Sequence, residues 1–154
     1  SRTHVERRSD RELVVTRLFD GPRHLVFKAW AQAELFRRWW VPEGHGITLV
    51  TCEMDVRTGG KYRLEFGAGG DDTKAFYGKY LEVVANERIV WTNDEGDEGA
   101  ITTVTFADQD GKTLLTFSEL YPSKQSLDEA MEGSAAGLPT QLDQLGELLP
   151  TIGQ

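Results

Sequence analysis

The chain contains 154 residues, of which 39% are hydrophobic and 27% charged, and its formal net charge is −8. This length suits one domain with a substantial core, and the hydrophobic content excludes a chain that remains disordered. The acid excess disfavours nucleic acid as a partner, because the phosphate backbone is itself anionic.

The N-terminal part of the chain predicts a tail, a strand and two short helices. Residues 1–11 are polar, and we expect a solvated lead-in there. Residues 12–20 combine β-branched and aromatic residues and stop at Gly21, which is typical of a strand. From Pro22 the apolar residues recur at helical spacing, so two short helices are expected before Pro42.

The middle of the chain alternates strand-like segments with turn signals. The six predicted strands occupy residues 47–56, 61–67, 74–84, 88–93, 100–108 and 113–121. Gly, Asn and Asp between these segments are typical of hairpin turns, which predicts an antiparallel meander. With the strand before the helices, the sheet is expected to have seven strands.

The C-terminal stretch predicts a long amphipathic helix. Its apolar stripe consists of Leu127, Met131, Ala135, Leu138, Leu142, Leu145 and Leu149. Pro139 lacks a backbone N–H, so the segment Gly137-Leu138-Pro139 should bend or restart the helix.

These elements predict an α+β fold. A sheet with one apolar face must cover that face, and the C-terminal helix is the only predicted element long enough to do so. We therefore expect a seven-stranded curved antiparallel sheet wrapped on that helix. The expected organisation is one domain over residues 12–150, with tails at 1–11 and 151–154.

The apolar segments also bear on location. None approaches the ~20 residues needed to cross a bilayer, and the first residues lack the apolar stretch of a signal peptide. The only cysteine, Cys52, cannot form an internal disulfide, which fits a reducing compartment. We expect no membrane span and a cytoplasmic location.

Strand alternation assigns side chains to the covered face of the sheet. Those in phase are Val50, Cys52, Met54 and Val56, then Tyr62, Leu64 and Phe66, and last Leu115, Phe117, Glu119 and Tyr121. Phe76, Tyr80, Trp91 and Phe106 add further rings. An aromatic concavity with few polar groups is typical of a small-molecule site, although inward rings also fill ordinary cores. We favour a pocket lining for the group and ordinary core for any single ring.

Glu119 is the most informative single residue of this face. Burial would raise its pKa and let it act as a general acid or base, or anchor the polar end of a ligand. However, strand ends open to solvent, and a register slip of one residue would turn Glu119 outward. An exposed or Arg-paired Glu119 is therefore the preferred interpretation.

Two motifs carry a family resemblance. RRWWVPEG at residues 37–44 follows a short helix, and DVRTGG at residues 55–60 joins two strands. With segments 76–92 and 112–120, they resemble the signatures of the family named for the activator of the ninety-kilodalton heat-shock protein's ATPase. That family lies in the START-like, polyketide-cyclase-related SRPBCC superfamily. The resemblance extends over about residues 13–149 and implies the helix-grip fold.

The resemblance leaves the ligand open. Similar proteins commonly have Gly-Trp where this chain has Gly137-Leu138, and loss of the indole implies a larger cavity or an altered mouth. The likeness is to the C-terminal domain of the eukaryotic co-chaperone. A chaperone-like protein partner is therefore an alternative and not the main expectation.

Both motifs also have physical explanations. Trp39 and Trp40 lie about 100° apart on a helix, so one is expected in the core and the other at a cavity rim or under the loop of His45. In the second motif, the pair Gly59-Gly60 permits a tight hairpin, across which Arg57 can reach Asp55. This second motif is therefore expected to be mainly structural.

Catalytic and metal constellations are absent from the sequence. His4, His24 and His45 have no metal-ligand spacing, and no serine-nucleophile motif is present. Cys52 lies in an apolar phase, where burial makes a thiol inert. We expect no catalytic residue, no metal and no cofactor.

The candidate site follows from the covered face and the last helix. The predicted ligand-binding residues are Trp39, Trp40, Tyr62, Phe76, Tyr80, Trp91, Phe117, Glu119, Leu138 and Leu142. The main expectation is a non-catalytic module that holds a hydrophobic or aromatic small molecule between sheet and helix. One alternative is a cyclase- or aromatase-like enzyme, in which Glu119 or a tyrosine transfers protons in the same cavity. The other is a co-chaperone-like interaction through the acidic outer surface.

Overall fold

The computed structural model describes residues 3–41, 46–67, 73–94 and 99–152. In these ranges one antiparallel sheet has eight strands in the order β1-β2-β8-β7-β6-β5-β4-β3. The strands are Thr3–Arg7 (β1), Glu12–Phe19 (β2), Thr48–Met54 (β3), Lys61–Gly67 (β4), Thr73–Val84 (β5), Arg88–Thr92 (β6), Ile101–Gln109 (β7) and Lys112–Leu120 (β8). The expected α+β fold with a curved antiparallel sheet and a C-terminal helix is confirmed.

Two helices lie between β2 and β3 in sequence, and the others follow β8. They are Arg23–Ala31 (α1), Ala33–Phe36 (α2), Lys124–Glu132 (α3) and Leu138–Ile152 (α4), with a 3₁₀ helix at Ser134–Gly137. No helix in the described ranges is long and apolar enough to cross a membrane.

The expected number of seven strands is wrong, because β1 adds an eighth. It pairs with β2 along its length, from Thr3 opposite Arg17 to Arg7 opposite Leu13. Four of its five residues are exposed, so the segment carries no apolar alternation that would signal a strand. Backbone pairing and a 2.9 Å hydrogen bond from Arg17 Nη1 to Thr3 Oγ1 hold it to the sheet instead.

A β-bulge corrects the predicted face of β3. The pairing of β3 with β4 shifts between Leu49 and Thr51, where one extra residue interrupts the ladder. Leu49 is consequently buried and Val50 is 53% exposed, so the expectation that Val50 faces inward is wrong. Cys52 and Met54 lie beyond the bulge and pack against the core as expected.

The C-terminal helix is interrupted and restarts. The backbone N–H of Gly133 closes α3 by donating to the carbonyls of Glu129 and Ala130, both at 3.1 Å. After the 3₁₀ helix, α4 starts at Leu138, and Pro139 lies in its first turn. Backbone N–H groups in the first turn make no intrahelical hydrogen bond, so proline costs none there. The sequence predicted a bend or restart here, and the structure has a restart.

The hairpin between β3 and β4 explains the second sequence motif. A Cβ on Gly60 would lie 1.9 Å from the carbonyl oxygen of Asp55, so only glycine fits there. Arg57 Nε donates to Asp55 Oδ2 at 2.9 Å across the turn. The motif therefore shapes the end of the sheet and lies outside the cavity described next.

Candidate ligand-binding cavity

A cavity of about 1040 Å³ lies between the sheet and the helices that cover it. Side chains from β4, β5, β6 and β8 form one side, and α3, the 3₁₀ helix and the start of α4 form the other. This volume is at the upper end of the range for small-molecule sites. The interruption between α3 and α4 lies directly at the cavity, since Gly133 and Gly137 both line it.

Aromatic rings make a continuous wall in this cavity. Trp40 stacks on Phe36 with ring centroids 4.7 Å apart and an interplanar angle of 26°. The ring of Trp30 lies 5.9 Å from that of Trp91 and 6.1 Å from that of Phe117. All five residues line the cavity, so rings on α1, α2 and the sheet face the same space.

The adjacent tryptophans Trp39 and Trp40 have different roles. Trp39 has no exposed surface and its Nε1 donates to the carbonyl of Ala29 at 3.0 Å, which fixes it in the core. Trp40 is partly buried and lines the cavity. Helix α4 holds their backbone: Gln141 Nε2 donates to the Trp40 carbonyl, and Gln144 Nε2 donates to the Trp39 carbonyl at 2.9 Å.

A chain of polar side chains crosses the concave face of the sheet. Glu119 accepts hydrogen bonds from the Tyr121 hydroxyl at 2.7 Å and from Thr102 Oγ1 at 3.0 Å. Asn93 Nδ2 donates to Thr102 Oγ1 at 3.1 Å, and the Tyr62 hydroxyl lies 3.2 Å from Asn93 Oδ1. These five residues, the polar chain, join β4 to the end of β8.

Burial dominates the electrostatics of the polar chain. It raises the pKa of Glu119, and the hydrogen bonds from Tyr121 and Thr102 oppose that rise only in part. Burial and the neighbouring carboxylate also raise the pKa of Tyr121. The preferred expectation of an exposed or Arg-paired Glu119 is wrong: Glu119 lines the cavity, and no cation pairs with it in the described residues.

Gly78 allows Tyr62 to reach the polar chain. Gly78 pairs with Tyr62 in the β4–β5 ladder and comes so close to β6 that a Cβ would lie 2.1 Å from the Thr92 carbonyl oxygen. The Tyr62 hydroxyl donates to that same oxygen at 2.7 Å. A side chain at position 78 would therefore displace the acceptor that orients Tyr62.

The family assignment rests on most of the chain. Residues 20–150 match the family model described as "Activator of Hsp90 ATPase homolog 1-like protein". The chain belongs to this family. The resemblance of the sequence motifs to that family is thereby confirmed.

Solved structures of proteins from several organisms have the same fold. A protein from Nitrosomonas europaea is 21% identical, with a TM-score of 0.86 over 96% of this chain and 99% of its own. A protein from Chromobacterium violaceum is 28% identical, with a TM-score of 0.76 over 92% of this chain and 98% of its own. The AHSA1-like protein from Aeromonas hydrophila is 20% identical, with a TM-score of 0.71 over 90% and 92%. No protein with a curated description matches the chain.

The cavity of this family member contains most of the residues predicted from sequence. Those that line it are Trp40, Tyr62, Phe76, Tyr80, Trp91, Phe117, Glu119 and Leu138. Trp39 and Leu142 are outside the lining, because both are fully buried in the core. His45, expected near the rim, lies outside the described residues. Contact of the lining residues with a ligand stays a prediction.

Sequence reasoning missed several polar and aromatic residues of the site. Tyr121 lines the cavity; alternation had placed it on the covered face, but it was not named as a ligand-binding residue. Asn93 also lines the cavity and is in phase with Trp91, so alternation could have identified it. Trp30 was assigned only to a helix, and nothing in its spacing distinguishes a cavity wall from core. The described residues contain no cluster of three or more His, Cys, Asp or Glu side chains that could hold a metal.

Proposed function

We propose that the protein is a binding module for an apolar, ring-bearing small molecule held in the cavity between sheet and helices. One observation carries the proposal: aromatic rings line the space of about 1040 Å³ between the sheet and the helices but do not fill it. Burial of apolar ligand surface against these rings contributes roughly 25 cal/mol per Å². The polar chain lies along one side of the same space and would orient a ligand through its polar end.

Thermal unfolding with a panel of hydrophobic compounds tests the proposal. A ligand at a hundredfold excess over its dissociation constant stabilises the folded state by about 2.7 kcal/mol, which is a readily measured rise in Tm. Ala130→Trp puts an indole into the cavity from α3 and should remove the rise. Leu120→Trp adds the same group at an exposed site outside the lining and should keep it.

The two variants also define the result that would overturn the proposal. Equal stabilisation of both by the same compound would place binding outside the cavity. A panel that stabilises neither the wild-type protein nor Leu120→Trp would count against a binding module altogether.

A second candidate function is an acid–base enzyme of the cyclase or aromatase kind. The observation that favours it is the 2.7 Å hydrogen bond between Tyr121 and Glu119 inside the cavity, with the pKa of both groups raised. A carboxyl with a raised pKa can deliver or accept a proton near neutral pH. Conversion of a bound polyketide-like compound by the wild-type protein, lost in Glu119→Gln while binding remains, would favour the enzyme over the module.

A further inference from the structure

The carboxylate of Glu119 accepts hydrogen bonds and has no ion-pair partner within the described part of the chain. Each of its two oxygens accepts one hydrogen bond from a hydroxyl group: Oε1 from Tyr121 and Oε2 from Thr102. Hydroxyl donors on both oxygens favour the ionised carboxylate. No lysine, arginine or histidine of the described residues forms an ion pair with it. When Glu119 is ionised, the cavity therefore presents an anionic group whose loss of hydration is only partly offset.

Two aromatic residues lie on the same face of the sheet as this carboxylate and line the same cavity. Thr102 on β7 pairs with Trp91 on β6 and with Glu119 on β8. Trp91 and Glu119 therefore lie in one row across the three strands, with backbones about 10 Å apart. Phe117 precedes Glu119 on the same face, and its ring is 6.3 Å from that of Trp91. The faces of such rings attract cations, more strongly when water is excluded.

The cavity wall already holds one ammonium group in this way. Lys74 Nζ lies 5.4 Å from the centroid of the Phe76 ring, and both residues line the cavity. Lys74 is exposed and projects from β5, which leaves it at the edge of the space. This contact places one ammonium group against an aromatic ring at the edge of the cavity.

The remaining charges also favour a cation. Besides Lys74, the charged side chains of the described lining are Glu119 and the exposed Glu129 on α3. Among the described lining residues negative charge is therefore in excess, and the whole chain has a formal charge of −8. Such a field raises the local concentration of cations and lowers that of anions.

This inference rests on the proposed function and specifies its ligand. We propose that the ligand is an organic cation: a ring-bearing amine whose ammonium group pairs with Glu119 while its rings pack against Trp91 and Phe117. A neutral hydroxyl group would find the same acceptor but would leave the negative charge unbalanced. An anionic ligand would be repelled by Glu119.

Three compounds with one ring system separate these cases. Naphthylmethylamine is a cation near neutral pH, naphthylmethanol is neutral and naphthoate is an anion, and their affinities are measured by titration calorimetry. We expect the amine to bind about tenfold more tightly than the alcohol, and naphthoate to bind most weakly. In Glu119→Gln the preference for the amine should fall below about twofold while the affinity for the alcohol stays the same. Glu147→Gln removes an equal charge from an exposed site on α4 outside the lining and should keep the preference.

A measurement on the wild-type protein avoids reliance on a foldable variant. Acidification protonates Glu119 while the amine stays charged. The ratio of amine affinity to alcohol affinity should therefore decrease as the pH is lowered. The titratable groups that share this space are Tyr121, Tyr62, Tyr80, Glu129 and Lys74. Among these only Glu129 is another carboxyl, and a fall that persists in Glu129→Gln belongs to Glu119.

The possible failures are distinguishable. If the alcohol binds in the cavity and the amine binds no more tightly, the organic cation is wrong and the binding module stands. The same conclusion follows if the preference for the amine survives Glu119→Gln or is independent of pH. If none of the three compounds and no member of the hydrophobic panel binds, the proposed function itself is overturned.

Discussion

The hydroxyl of Tyr121 donates to Oε1 of Glu119 at 2.7 Å, inside the cavity between sheet and helices. Burial raises the pKa of both groups, and the charge of the carboxylate adds to the rise at Tyr121. The ionised carboxylate is thus less favourable in the folded chain than in the unfolded one. The ionised carboxylate of Glu119 should therefore lower the stability of the empty protein.

Glu119→Gln should stabilise the empty protein near neutral pH. The folded pKa of Glu119 lies above its ordinary value of 4.5, so folding binds a proton between the two values. Wild-type stability should therefore fall as the pH rises from about 4 through the folded pKa, and the variant should show less of this fall. Urea unfolding at a series of pH values measures the difference, with Glu147→Gln as the exposed control. A variant whose advantage grows towards acid pH would contradict the assigned direction of the shift.

The adjacent tryptophans should separate stability from binding. Trp39→Ala removes a fully buried ring and its hydrogen bond to Ala29, and should cost about 3–5 kcal/mol of unfolding free energy. Trp40 is only partly buried, so Trp40→Ala should cost roughly half as much but reduce stabilisation by hydrophobic compounds. Urea unfolding gives the first quantity and ligand-dependent Tm the second. Loss of ligand response in a folded Trp39 variant alone would reverse the two roles.

The sequence could place most strands because each is framed by turn residues. Segment 61–67 was predicted with the bounds that β4 has. Strand β1 could not be predicted, since backbone pairing at a sheet edge requires no apolar pattern. The inward assignment of Val50 failed for another reason: a bulge reverses alternation, and its position depends on the pairing with β4.

The site was predictable as a face but not in its contacts. Alternation placed Phe117 and Glu119 on the covered side, where the structure has them. Thr102 is the neighbour of Glu119 because of the register between β7 and β8. The alternation of apolar residues does not determine that register. Leu142 belongs to the same apolar stripe as Leu138 but lies one helical turn further along α4. There its side chain packs in the core and does not line the cavity.

Gln144 on α4 should hold the tryptophan segment in place. Its Nε2 donates to the carbonyls of Trp39 at 2.9 Å and Val41 at 2.8 Å, beyond the end of α2. Gln144→Leu leaves these acceptors without this donor and should lower the unfolding free energy by about 1–3 kcal/mol. Amide exchange around residues 39–41 should also become faster. An equal loss in Gln125→Leu, an exposed glutamine on α3, would show that the effect is not due to these contacts.

Gly78→Ala should damage both stability and the polar chain. The added Cβ would lie 2.1 Å from the Thr92 carbonyl oxygen, and backbone must move to relieve the clash. We expect a loss of about 2–3 kcal/mol in urea unfolding. Gly21→Ala is the matched control, since its Cβ would meet only Leu149 Cδ1 at 3.9 Å, and it should change stability by no more than about 0.5 kcal/mol.

Because the moving oxygen is the acceptor of the Tyr62 hydroxyl, Tyr62→Phe should lose less stability in the Gly78→Ala background than alone. Full additivity of the two substitutions would show that Gly78 does not position Tyr62.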